Sequence, residues 1–467
     1  MSATIYINNS FCKVESDQDW IHKEIYDVLS YEIPNAHIIK RRYGNYAWDA
    51  KASMYNRRHN QFLTGLLDIV KKYLTTSEIP FQIVDKRIEP TGNPAENPFD
   101  LEGIKLYDFQ KQIVTNFLKH KRGVIQSPTG SGKTVVAISI FQALGVPTLF
   151  LTHRKNLLYQ TAERFERHIP GVKKIMGIIG NGEYSDNFLT IGTVQTIYKM
   201  LKDAKFLNQY KLLIVDEAHR ISAKSFFKIS EKCENAFYRV GLTATPFMQK
   251  HNRDNLILKG EIGGLITEIT PSQLIQEGII ARPHFAFLPI TEKIKKNCSS
   301  WQEVYQQGIV KNEIRNNLIA EQASKLIKMG KKPLVVIQSI EHGRILRNLI
   351  PKIHSDRIVI DFINGKNSIS ERKRALNGLD NGTLSTLIAT NIFDEGIDIP
   401  SIDSAILGGG GLSAPAFFQR CGRTMRKKEN NYSIIIDFMD YQHSMLLKHS
   451  RQRLAYVKSE PEFKLLN

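Results

Sequence analysis

GVIQSPTGSGKT, residues Gly123 to Thr134, holds two readings in twelve positions. Val124 and Ile125 read as the end of a buried strand, and Val135 to Leu144 has the apolar content of a helix, so the glycine-containing stretch between them is a tight strand-to-helix loop. Gly130 and Gly132 fit a loop whose successive backbone N–H groups turn inward on an anion, in conformations that a Cβ would obstruct. Lys133 adds a point charge for β- and γ-phosphates, and the Thr134 hydroxyl is placed to ligate Mg²⁺. Ser127, Pro128, Thr129 and Ser131 complete the cradle, with Ser127 standing where the P-loop pattern begins with glycine. A linker could carry the same five residues by chance, but it would lack the flanking strand and helix.

Downstream, the apolar runs Thr148 to Leu151, Leu189 to Gly192, Leu212 to Val215 and Tyr238 to Leu242 alternate with helical patterns, which predicts a doubly wound parallel sheet with its ligand groups at the strands' carboxyl ends. The run Leu212 to Val215 delivers Asp216-Glu217-Ala218-His219 at its end, 83 residues after Lys133. Phosphoanhydride hydrolysis needs one carboxylate near Mg²⁺ and another to polarise water, and Asp216 and Glu217 supply both. A second series, Leu334 to Ile337, Ile358 to Ile360, Leu387 to Ala389, Ala405 to Leu407 and Ser433 to Ile436, predicts a second α/β unit in tandem.

The chain has 467 residues, and its 42% hydrophobic and 24% charged content is that of a globular protein, which excludes a disordered chain. Lys and Arg outnumber Asp and Glu by 64 to 46, a formal charge of +18, so a polyanionic partner is expected. Residues 1–100 carry 12 basic and 13 acidic side chains, which places the excess on the later domains. The four cysteines are far apart without a C-x-x-C pair, and they read as reduced thiols rather than a zinc or disulfide framework. No run reaches about 18 apolar residues and no signal-like leader is present, so a cytoplasmic protein is expected.

Residues 1–92 read as a small α+β domain, with strands at Thr4 to Ile7, near Ala36 to Lys40 and at Phe81 to Val84, and helices over Gln18 to Leu29 and Thr64 to Tyr73. Between Lys40 and Arg58, Lys40, Arg41, Arg42, Lys51, Arg57 and Arg58 face one acid, Asp49, and alternate with Tyr43, Tyr46, Trp48 and Tyr55. Such a mixture suits phosphate contact with stacking; a solvated hairpin whose aromatics pack on its own core is the alternative. Glu89 to Asp100, with three prolines, is a linker. Four parts are therefore expected: a small α+β domain at 1–92, an α/β domain with the phosphate loop at 93–285, a second α/β domain at 286–440 and a basic helical tail at 441–467.

From about residue 103 the sequence resembles the superfamily 2 DEAH-type helicases. Leu106-Tyr107-Asp108-Phe109-Gln110 is similar to their adenine-reading segment, with Gln110 at the position of its glutamine. Leu151-Thr152-His153-Arg154 and Gly192-Thr193-Val194-Gln195-Thr196 resemble motifs that contact a nucleic-acid strand, and Thr243-Ala244-Thr245-Pro246 the motif that couples the two sites. Val335 to Gly343, which contains Ser339 and His342, resembles motif IV; Thr390 with Asp394-Glu395-Gly396-Ile397-Asp398 resembles motif V; and Gln419 to Arg426 resembles motif VI. The resemblance implies two RecA-like domains, ATP and Mg²⁺ as cofactors, and Gln419, Arg423 and Arg426 as catalytic residues, the two arginines being fingers on the γ-phosphate. Gly396 and Asp398 are implied in nucleotide contact, and His153, Arg154, Thr193, Gln195, Thr196, Ser339, His342 and Thr390 in nucleic-acid contact.

Tyr46-Ala47-Trp48-Asp49-Ala50, Met54-Tyr55-Asn56 and Leu63-Thr64-Gly65-Leu66-Leu67 resemble the leading domain of bacteriophage UvsW-type helicases, relatives of the XPB group. That resemblance implies ATP-driven remodelling of branched DNA by branch migration, fork regression and unwinding with 3′ to 5′ polarity, in phage replication, recombination or repair. The implied location is the host cytoplasm, the implied partners are duplex, forked or branched DNA and the replication or recombination proteins, and a monomer is expected. An RNA helicase of the same superfamily and the translocase subunit of a restriction system are the alternatives.

Overall fold

A computed structural model describes residues 2–466 apart from 34–35, 37–39, 42–48, 248–251, 295–297, 299, 355–357, 391–401, 412–416, 418–420, 423 and 426–430, and apart from the side chains of 203, 204 and 369. Arg42, Gly396, Asp398, Gln419, Arg423 and Arg426 therefore lie outside the described residues. So does most of the strand expected from Ala36 to Lys40, whose two end residues have helical backbone. By their contacts the described residues form two units, one of Met1–Ser127 with Gly132–Glu268 and one of Pro128–Ser131 with Ile269–Asn467.

The first unit contains two principal sheets. The leading one has five strands in the order Tyr55–Asn56, Gln61–Leu63, Phe11–Glu15, Ala3–Ile7, Phe81–Asp85. Ala3, Ile5 and Ile7 alternate with half-buried residues, the period of a strand with one face on a core. That core receives Ile21 and Ile25 from the helix Asp19–Val28 and Val70 and Leu74 from Leu67–Thr76. It also takes in Leu256, from a helix of the neighbouring sheet's domain, so the apolar surface of the leading sheet is continuous with that domain.

The second sheet has eight strands in the order Glu183–Tyr184, Met176–Gly180, Leu189–Thr193, Thr148–Thr152, Leu212–Asp216, Tyr238–Thr243, Arg122–Gln126, Leu265–Glu268. All neighbours are parallel except the first pair. Leu212, Leu213, Ile214 and Val215 are fully buried, as expected of a strand covered on both faces, and their burial explains the unbroken apolar run.

Where the leading domain meets this sheet the contact is close and polar. Arg239, inside the buried strand Tyr238–Thr243, is fully buried and pairs with Glu261 at 2.9 Å. Its other nitrogen donates to Ser10 Oγ at 2.8 Å and to the Cys233 carbonyl at 2.9 Å. Arg122 donates to the carbonyls of Asn9 and Glu261 at 3.0 and 2.8 Å. The backbones nearly touch: a Cβ on Gly65 would lie 2.0 Å from the Lys259 carbonyl oxygen, and one on Gly260 would lie 2.8 Å from Leu63 Cβ.

The second unit is built on a seven-stranded parallel sheet in the order Ile360–Ile363, Thr386–Ala389, Pro333–Val336, Ser404–Ile406, Tyr432–Asp440, Arg282–Ile290, Lys464–Leu465. Its opening strand, Arg282–Ile290, pairs along its whole length with Tyr432–Asp440, from Arg282↔Tyr432 to Ile290↔Asp440. Ile319, Ala323 and Leu326 of the helix Glu313–Lys328 and Leu346 and Ile350 of Ile340–Ile353 fill the core. The last helix, Ser444–Lys458, packs into this unit. Its Arg453 is buried and forks onto Asp437 at 2.7 and 3.0 Å, while Lys448 and Arg451 stay exposed. Arg315 meets Asp440 at 3.0 Å in the same buried network. Among the described residues no helix is long and apolar enough to cross a membrane.

Candidate active site

The phosphate loop leaves the strand Arg122–Gln126 and enters the helix Lys133–Leu144. Gly130 and Gly132 have φ of 91° and 81°, the left-handed conformations that the sequence pattern anticipates. Gly132 is the residue before the helix, so the N–H groups of the first helical turn face the loop. Ser127 N–H donates to the Thr243 carbonyl at 2.9 Å, and Ser131 Oγ to the Pro128 carbonyl at 2.8 Å. Thr129 is half-buried. Lys133 Nζ lies 3.1 Å from the Ser127 carbonyl oxygen, folded back over the loop.

Gln110 is buried on the helix Asp108–His120, and its Oε1 accepts from Tyr107 N–H at 3.0 Å. A Cβ on Gly132 would stand 2.3 Å from its Nε2, so the glycine leaves room for this amide beside the loop.

Asp216 ends the strand Leu212–Asp216 and Glu217 turns sharply at φ 51°, a left-handed conformation rare for a residue with a side chain. Glu217 N–H donates to Asp216 Oδ1 at 3.0 Å. His219 Nδ1 lies 3.4 Å from Glu217 Oε2 and 3.0 Å from Thr243 Oγ1. One imidazole thus joins the acidic pair to the Thr243-Ala244-Thr245-Pro246 stretch on the adjacent strand. Burial, then the neighbouring Glu217, pushes the Asp216 carboxyl up to about 7, against the pull of Lys133 and Arg164. Burial also lowers His219.

These residues fit a nucleoside triphosphate with Mg²⁺. The loop glycines hold the left-handed conformations that an anion cradle requires, and among the described residues Ser127 Oγ is buried without a partner. Two half-buried carboxylates stand side by side at the end of the strand, where a divalent cation would relieve their repulsion.

The strand-contacting candidates of the first unit gather at the carboxyl ends of two neighbouring strands. Thr152 and Thr193 are in register on neighbouring strands, which brings the residues that follow them side by side. Gln195 Nε2 donates to the His153 carbonyl at 2.8 Å, and Thr193 Oγ1 to Thr196 Oγ1 at 2.9 Å. Burial pushes His153 down to about 3, so its ring is neutral near pH 7. Arg154 precedes the helix Lys155–His168.

In the second unit Val336 and Ala389 are in register, and Ser339 and Thr390 follow their strands at the same end of the sheet. His342 is placed otherwise: it is fully buried, with Nε2 2.8 Å from Asn316 Oδ1, and burial pushes it down to about 3. In the leading domain Arg41, Arg57 and Arg58 are exposed, and Arg57 lies 3.6 Å from Asp19.

One residue of this site escaped sequence reasoning. Arg164, on the helix Lys155–His168, reaches the nucleotide loop's helix and donates from Nη1 to Thr134 Oγ1 at 2.9 Å. It belongs to no motif, and a lone arginine on an amphipathic helix carries no distinguishing spacing.

Comparison with known proteins agrees with this geometry. The family model described as "Type III restriction enzyme, res subunit" matches residues 103–248, and "Helicase conserved C-terminal domain" matches residues 314–428. The DNA 3′-5′ translocase XPB2 of Sulfurisphaera tokodaii is 27% identical over 385 residues, covering 75% of this chain and 86% of the relative. The ATP-dependent DNA helicase uvsW of Enterobacteria phage T4 is 24% identical over 450 residues, 90% of this chain and 86% of its own. In fold, the crystal structure of T4 UvsW superposes with a TM-score of 0.50 at 20% identity, covering 100% of this chain and 99% of that one. With a phosphate loop and acidic pair on one sheet, a second parallel sheet behind it in sequence, and relatives along nearly the whole length, the chain belongs to the superfamily 2 helicases, ATP-dependent enzymes, among the relatives of UvsW and XPB.

Proposed function

We propose that this protein is an ATP-driven motor that remodels branched DNA, by branch migration, fork regression and unwinding with 3′ to 5′ polarity, in the cytoplasm of a phage's host. The backbone N–H groups from Gly130 to Lys133, with Lys133 itself, hold the triphosphate, Gln110 reads the base, and Thr134 and Asp216 ligate Mg²⁺. The bound metal nucleotide supplies the phosphoanhydride whose cleavage drives the cycle. Glu217 accepts the proton of the attacking water, and His219 holds that carboxylate in place. Gln419, Arg423 and Arg426 complete the site, with Gly396 and Asp398 beside the nucleotide. A DNA strand runs over His153, Arg154, Thr193, Gln195, Thr196, Ser339 and Thr390, and the leading domain grips duplex through Arg41, Arg42, Arg57 and Arg58.

The observation that carries this reading is the imidazole of His219, hydrogen-bonded to Thr243 at 3.0 Å and 3.4 Å from Glu217. It offers a physical link between hydrolysis and the motif that couples the two sites. The test is ATPase stimulation by single-stranded DNA, duplex, fork, four-way junction and RNA. Strongest stimulation by forks and junctions is expected. Preference for RNA would make the protein an RNA helicase, and equal stimulation by plain duplex and junction would favour a restriction-type translocase.

A further inference from the structure

Arg164 is the cation at this site that neither the phosphate loop nor the acidic motif explains. Its guanidinium comes from a different element, two turns and more into the helix Lys155–His168, and it ends on the hydroxyl assigned to Mg²⁺. The charge of Asp216, the second metal ligand, favours the charged guanidinium, against the effect of burial. Thr134 Oγ1 accepts from Arg164 Nη1 at 2.9 Å, so a lone pair that a metal could use is taken by a guanidinium N–H.

We propose that Arg164 is a positioning residue that stands in for the metal, a resident cation that occupies the Thr134 hydroxyl and balances Asp216 until a metal nucleotide displaces it. The inference rests on the function proposed above and adds a competitor within it. Three features support a stand-in over a simple structural contact. The group is positively charged, as the metal is. It is hydrogen-bonded to one protein ligand of the metal and attracted by the charge of the other. It is held on a long, flexible stem that can withdraw without moving its helix, and a like charge arriving at the same hydroxyl would force that withdrawal. A guanidinium in this place offsets part of the Asp216 charge in the nucleotide-free enzyme, and it sets a threshold for metal loading. Coupling of this kind is reciprocal: what the metal does to Arg164, Arg164 does to the metal.

The test uses the full chain and a fluorescent ADP analogue, titrated with Mg²⁺. Arg164→Gln keeps an N–H donor but loses the charge, whereas Arg164→Lys keeps the charge. The Mg²⁺ concentration for half-maximal analogue binding is expected to fall on the order of ten-fold in Arg164→Gln. It should stay within about two-fold of the wild-type value in Arg164→Lys. The thermal midpoint without nucleotide should fall in Arg164→Gln, and saturating Mg²⁺ with ADP should remove the difference, a recovery that a merely structural contact would not give. An unchanged or raised Mg²⁺ requirement in Arg164→Gln overturns the inference, as does equal behaviour of the Gln and Lys variants. If the wild-type protein fails to bind the analogue at any Mg²⁺ concentration, the nucleotide site itself is wrongly assigned.

Discussion

Arg239 Nη2 donates to Ser10 Oγ at 2.8 Å, joining the interior of a buried strand of the ATP-binding sheet to the loop between the first two strands of the leading sheet. Glu261 answers the same guanidinium at 2.9 Å, and burial raises that carboxyl's affinity for a proton, so the pair is held together by mutual need. Arg239→Ala leaves Glu261 buried and unpaired. We expect a loss of about 3–5 kcal/mol in urea unfolding. Arg239→Met combined with Glu261→Met should recover most of it, because no uncompensated charge remains. A loss under about 1 kcal/mol for Arg239→Ala would show that water reaches the pair.

This contact also decides how the leading domain should be tested. Cutting the chain at residue 92 would strip partners from Arg239 and Arg122 and expose Leu256, so lost activity in a truncation could reflect instability alone. Changing Arg41, Arg42, Arg57 and Arg58 together to Ala is the cleaner perturbation, and the three described members of the set are exposed. Junction binding should weaken and its salt dependence flatten by up to about 0.9 log unit per lost phosphate contact. Branch migration should fall further than ATPase stimulated by single-stranded DNA. An unchanged salt slope would make the cluster a solvated surface.

Lys133→Ala should fold normally and lose ATP turnover. Its amine folds back 3.1 Å from the Ser127 carbonyl, a contact that water can replace, whereas the charge it offers a transferring phosphoryl group cannot be replaced from the loop. Circular dichroism checks the fold and phosphate release the activity. Turnover near the wild-type rate in a folded variant would sink the phosphate-loop assignment.

Glu217→Gln should bind ATP with ordinary affinity and slow hydrolysis by about 10²–10⁴, since it keeps shape and loses only the proton acceptor. Chelating Mg²⁺ from the wild-type protein should stop hydrolysis at a different point, before productive binding. Failure of Glu217→Gln to bind nucleotide would mean that Glu217 serves binding rather than the proton.

Arg423→Ala and Arg426→Ala should each retain ATP binding through the first unit and lose hydrolysis, on the order of 10³-fold or more for an arginine finger. The comparison is single-turnover hydrolysis at saturating ATP. Wild-type rates in both variants would mean that motif VI takes no part in the chemistry.

What the sequence disclosed follows the physics of burial. Leu212 to Val215 is covered on both faces, so its apolar run was visible without an alignment, and the loop glycines advertise their backbone conformations. Leu265–Glu268 was invisible because it is an edge strand, exposed at both ends of its short span. Arg282–Ile290 carries Pro283 and Pro289, which argue against an interior strand. It lies inside the sheet all the same: both prolines are in register with Tyr432–Asp440 on one side, and the neighbour on the other, Lys464–Leu465, pairs only with His284 and Phe285 and asks no N–H of either proline. Arg239 could have been noticed, since a charge in the middle of a buried strand demands a partner. Arg164 could not, because its meaning lies in a three-dimensional meeting with Thr134 across 30 positions of chain.

The pairing of Arg282–Ile290 with Tyr432–Asp440 has a consequence on the ribosome. The first strand of the second unit must wait for a partner that begins 150 residues later. At a synthesis rate of about 5–20 residues per second, that is roughly 8–30 s during which Phe285, Phe287 and Leu288 have no sheet to enter. The first unit, whose strands are complete by Glu268, can fold in that interval. The nascent chain is then half folded and half adhesive, and a translational pause between residues 290 and 432 would lengthen its exposure to aggregation.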